Sequence, residues 1–126
     1  MTYSGGIERL MALLVNAGVT VEMRVRWLAD DVAGRYDAKR NHIAVWDTPG
    51  AQEALVVLAH EAGHWLDYRM RPYPQTQPGH PRPRREHAAI VLGWKLLGII
   101  EAHKLVTWAR WADHHRPVRR PEAAAA

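Results

Sequence analysis

Residues 56–69 read VVLAHEAGHWLDYR, an apolar run interrupted by His60, Glu61 and His64. On a helix, positions four apart lie one turn apart on the same face, so both imidazoles can reach one ion at about 2.0 to 2.1 Å. Glu61 sits beside them, where a carboxylate can take a proton from water and later return it to a leaving amine. The pattern His60-Glu61-Ala62-Gly63-His64 is therefore the HExxH spacing of metal-assisted peptide hydrolysis. The plainer reading is a core helix with two hydrogen-bonded histidines. Gly63 weighs against it, because a glycine inside a helix costs about 1 kcal/mol relative to alanine unless another backbone or a substrate must come close.

Two histidines leave a catalytic zinc short of a ligand, since such a site has three protein ligands plus water. The chain has no cysteine, so nitrogen and oxygen must supply the set. Asp67, His80, Glu86, His87 and Glu101 are the candidates. Asp67 lies almost one turn beyond His64, and its short side chain suits a supporting or surface role. His80 falls in a proline-rich stretch, where it and Tyr73 are candidate hydrogen-bond donors to a developing oxyanion. Glu86 opens the next helical segment, and Ala88, Ala89 and Gly93 after it are small enough to let two helices approach closely. It is the favoured third ligand, with Glu101 and His80 as alternatives.

The segments NHIAVW, LAHEAGHWLD and REHAAIVLGWKLL together resemble the ImmA/IrrE type of zinc metallopeptidase and, more widely, the minimal gluzincins. The resemblance covers roughly residues 34–98. It implies a zincin-like fold in which a strand precedes the HExxH helix, with Glu86, followed three residues later by Ala89, as third zinc ligand. It also implies cleavage of a regulatory protein such as a repressor. Two features depart from the wider pattern: residues 1–126 contain no helix-turn-helix, and Ile90 stands where larger gluzincins place an aspartate four residues after the glutamate.

The elements that must hold these side chains can be read from periodicity. Ile7, Leu10, Met11, Leu13 and Leu14 recur at helical spacing, with Gly18 placed to end that helix. VTVEMRVRW alternates strictly, as a half-buried strand does. Two strands, Gly34–Asp37 and His42–Trp46, flank the polar turn AKRN as a hairpin. Asp47, Thr48 and Pro49 supply a helix entry, and the helix carrying the histidines runs over about 51–69. A proline-rich loop follows, then helix from 84 to about 115, with Gly93 and Gly98 as weak points, so that one bent helix and two consecutive helices both fit. The expected architecture is α+β: a short twisted sheet packed on the HExxH helix and on a following helix that bears Glu86. Residues 1–116 form one domain and 117–126 a basic, alanine-rich flexible tail. The strand His42, Ile43, Ala44, Val45, Trp46, next to the catalytic helix, is expected at the sheet edge, where an extended peptide would add to it.

Composition bounds the remaining possibilities. At 126 residues the chain suits one domain. Its start lacks the basic flank and cleavage site of a signal peptide, and no apolar run is long enough for a bilayer, so a soluble cytoplasmic protein without membrane partners is expected. Residues 1–70 carry 7 Lys/Arg against 9 Asp/Glu, and residues 71–126 carry 10 against 4. That basic second half permits a nucleic-acid partner, but without interleaved aromatics or a recognisable module none is expected. The function expected is a zinc-dependent endopeptidase acting on a peptide or protein. The rival is an inactive zincin-like module that binds a regulatory protein or nucleic acid. A protease of DNA-bound proteins resembling the SprT type is a third class, disfavoured because their cysteine zinc ribbon is absent.

Overall fold

The computed structural model describes residues 1–26, 33–47, 50–71 and 82–115. The first helix, α1 (Tyr3–Asn16), starts where the Thr2 hydroxyl accepts the Gly5 N–H at 3.0 Å, and Leu10 and Leu14 are fully buried beneath it. The chain leaves α1 through Gly18 at φ +87°, a left-handed turn that glycine adopts without strain. Strand β1 (Thr20–Val25) then alternates as expected, with Val21, Met23 and Val25 turned towards the core and Thr20, Glu22 and Arg24 exposed. Its ladder shifts register between Glu22 and Val25, where Arg24 takes φ +61°. Trp27 of the same alternating run lies outside the described residues.

Strands β2 (Gly34–Asp37) and β3 (His42–Trp46) form the anticipated antiparallel hairpin. Its turn is held by Asp37, whose Oδ1 accepts the backbone N–H groups of Lys39 and Arg40 at 3.0 and 3.3 Å. The sheet order is β1-β3-β2. The strand His42, Ile43, Ala44, Val45, Trp46 is thus the central one and not an edge, because β1 pairs with it in parallel, Thr20 opposite His42, on the side away from β2. Both sides of its backbone are already engaged, so it has no room for an added strand. The edges are β1 and β2.

Helix α2 (Ala51–Met70) follows; its N-cap position is Gly50, at φ +90° and without a side-chain cap. Thr48 and Pro49, expected to open this helix, lie outside the described residues. Buried residues surround α2 on all sides, including Leu55, Val56, Val57, Leu58 and Ala62. A helix apolar all round is one with neighbours all round. Here they are the sheet, α1 and α3 (Arg82–Ile99).

Of the two arrangements open for the helical stretch over 84–115, the structure has two consecutive helices. Helix α3 ends just beyond Gly98, Glu101 takes φ +62°, and α4 (Trp108–His114) begins after Thr107, whose hydroxyl accepts the Arg110 N–H at 3.3 Å. Trp111 of α4 is fully buried and anchors that helix in the core beside Trp94, ring centroids 6.5 Å apart. The expected tail, 117–126, lies outside the described residues. Among the described residues, no helix is long and apolar enough to cross a membrane.

Candidate metal centre

Helices α2 and α3 cross at small residues. A Cβ built on Gly63 would come within 2.1 Å of the Ala89 carbonyl oxygen, and one on Gly93 within 2.6 Å of the Ala59 carbonyl oxygen. The two backbones therefore touch, and the reason for a glycine inside the HExxH helix is this crossing. The crossing carries Glu86, one turn before Ala89 and Ile90, against His60 and His64 of α2.

Glu86 spans both histidines there. Its Oε2 lies 2.9 Å from His60 Nε2 and its Oε1 3.1 Å from His64 Nε2. The two imidazoles meet edge-on, centroids 4.9 Å apart at 83°. One ligand atom from each of His60, His64 and Glu86 lies within 4.8 Å of the other two, so this group could hold a metal ion. Ligands about 2.05 Å from a tetrahedral ion stand roughly 3.3 Å apart, and both glutamate–histidine distances lie within a few tenths of an ångström of that spacing. Two imidazoles and one carboxylate are also a donor set suited to a borderline cation such as zinc. The residues present fit the group.

Electrostatics divides the two glutamates. Burial alone would raise the Glu86 pKa, but the hydrogen bonds from His60 and then His64 outweigh it and hold the carboxyl well below its usual range. For His64, burial disfavours the charged ring, yet the Glu86 hydrogen bond and the charges of Glu61, Glu86 and Asp67 carry its pKa above the ordinary value. Glu61 behaves in the opposite way to Glu86. It is only 7% exposed, and burial pushes its pKa up, while His60, His64 and a hydrogen bond from the Tyr36 backbone on β2 offset part of the rise. Gly34, also on β2, makes room for it: a Cβ there would lie 2.8 Å from Glu61 Cγ and 3.1 Å from its Oε2.

The other sequence candidates fall elsewhere. Glu101 pairs with Arg9 at 3.8 Å on the surface, its side chain 79% exposed, and belongs to no ligand group among the described residues. His87 points to solvent. Asp67 is not on the surface: it is buried, bonded to Arg71 at 2.7 Å, and its charge is felt by His64, which suits support of the site and not ligation. Tyr73 and His80 lie outside the described residues.

The structure adds two residues that sequence reasoning passed over, His114 and His115 at the end of α4. The His115 ring stacks on that of His60, centroids 4.7 Å apart and 18° from parallel. His114 Nδ1 lies 3.2 Å from Glu53 Oε1 at the start of α2. A signal was present: His115 is four residues after Trp111, hence on the face of α4 that turns inward. Burial, followed by repulsion from His60, lowers the His115 pKa to about 3. No protein-family model matches the chain, and neither a curated protein nor a solved structure matches it.

Proposed function

We propose that the protein is a zincin-like, zinc-dependent endopeptidase, a small relative of the ImmA/IrrE metallopeptidases, with His60, His64 and Glu86 as the metal-binding residues and Glu61 as general base. The observation that carries this reading is the convergence of Glu86 from α3 on both HExxH histidines, with Glu61 held beside them and outside the ligand set. A zinc ion held there supplies Lewis acidity to a substrate carbonyl and to water.

The chain's own residues supply the rest. Glu61 has a carboxyl whose proton affinity is raised by burial, which moves it towards the neutral range where a base can both accept a proton from water and pass it to the leaving amine. Its position is fixed from the sheet side by Gly34 and by the Tyr36 backbone hydrogen bond. The same strand is the natural substrate guide. Strand β2 pairs with β3 on one side alone among the described residues, and it runs beside Glu61, so an extended peptide added to its outer edge would bring its scissile bond to the histidines.

The experiment is metal analysis and peptide hydrolysis on wild type and Glu61→Gln side by side. The expected result is one zinc per chain in both, hydrolysis in the wild type, and a rate lowered by at least about 10²-fold in the variant, the range for loss of a general base. A wild type without zinc at neutral pH would return His60 and His64 to ordinary helix histidines. Zinc without hydrolysis would favour a binding module.

A further inference from the structure

A histidine that offers Nε2 to a metal carries its proton on Nδ1, and that proton is usually handed to a carboxylate, a carbonyl or water, which fixes the ring's orientation. The Nδ1 of His60 is buried and finds no hydrogen-bond partner among the described residues. What meets the ring is a face. His115 lies nearly parallel to it at 4.7 Å, and His115 is itself pinned: its Nδ1 donates to the Trp111 carbonyl at 2.9 Å, and its ring packs on that of Trp111 at 4.2 Å. Trp111 is fully buried, so the stack is rooted in the core. The Nε2 of His115 is buried without a partner and belongs to no ligand group, so no hydrogen bond to His60 and no direct ligation explains the contact.

We propose that His115 is the positioning residue for His60: the face of its ring, rooted through Trp111, holds the His60 imidazole plane so that Nε2 is directed at the position shared with His64 and Glu86. This rests on the reading of those three residues as a metal site. Helix α4 is then part of the site although none of its residues binds the ion. Without the stack, the His60 ring can rotate about its terminal torsion, and the ligand set must be ordered at each binding event.

The test is titration of metal-free wild type, His115→Phe, His115→Leu and His115→Ala with zinc, against a chromophoric chelator, and with cobalt(II), read by its visible absorption. Phenylalanine keeps an aromatic face without nitrogen, and leucine keeps bulk without the face. The expected result is near wild-type zinc affinity and an unchanged cobalt spectrum for His115→Phe. His115→Leu and His115→Ala should bind about threefold to tenfold more weakly, the worth of one aromatic pair, with an altered cobalt spectrum. Equal affinity in all four proteins overturns the proposal. So does an equal loss in His115→Phe and His115→Ala, which would place the role in the nitrogens. Failure of the wild type itself to bind either ion overturns the metal reading and this inference with it, whereas a binding wild type beside an unaffected His115→Leu overturns this inference alone. Should His115→Ala not fold, by circular dichroism, the phenylalanine and leucine pair still decides.

Discussion

At Gly63 the neighbour of α2 is another backbone, the Ala89 carbonyl of α3; at Gly34 the neighbours are side chains of α2, Val57 and Glu61. The first contact is rigid on both sides. The second is with side-chain atoms, Val57 Cγ1 and Glu61 Cγ, which can shift without moving a helix backbone. The rigid seam places Glu86 and so assembles the ligands, while the yielding seam only tunes the base. Each glycine thus guards a different half of the proposed chemistry, and substitutions can separate them.

The largest effect is expected at the rigid seam. Gly63→Ala puts a methyl group where the Ala89 carbonyl stands, so α3 must move; a loss of about 3 kcal/mol, at the upper end for overpacking, should appear in denaturant unfolding together with loss of zinc binding. Glu86→Ala, on the same seam but without a clash, should leave the fold intact and weaken zinc binding by more than about a hundredfold, beyond what groups that merely support a ligand contribute. A Glu86→Ala protein of unchanged affinity would break the assignment of that seam to metal binding.

At the yielding seam, Gly34→Ala meets Val57 Cγ1 at 2.7 Å and Glu61 Cγ at 2.8 Å, so both side chains must shift although no backbone stands in the way. It should cost about 2 kcal/mol, keep zinc, and lower hydrolysis on the order of tenfold through a displaced Glu61. Zinc loss in this variant would mean that the two seams are not separate. The smallest effect sharpens the contrast from outside both: Glu101→Ala removes only an exposed pair with Arg9, so unfolding should shift by less than about 0.5 kcal/mol and zinc affinity not at all.

Local chemistry was legible in the sequence wherever a short stretch determines it. The AKRN turn, the alternation of β1 and the small residues at 63, 89 and 93 each reported a local contact that the structure contains. Strand order was also written there, in a form easily misread: HIAVW is almost wholly apolar where β1 alternates, and a run apolar on both faces belongs in the middle of a sheet. The place of α4 was not legible from spacing. It depends on the turn from residue 100 to 107, and only Trp111, too large for anything but the core, hinted that His115 would come with it.

The insertion of β3 between its partners bears on the order in which the chain assembles. The β2–β3 pairing closes over the four residues of one turn, whereas the parallel pairing of Thr20 with His42 closes a loop of more than twenty, at a greater cost in chain entropy. On loop entropy alone the hairpin is expected to form first and β1 to join it later. Asp37→Ala, which removes the acceptor for the turn amides, should act mainly on the folding rate, while Val21→Ala in β1 should act mainly on the unfolding rate. The strand nearest the base is on this account formed early, and the opposite edge of the sheet is the one that opens first when the protein begins to unfold.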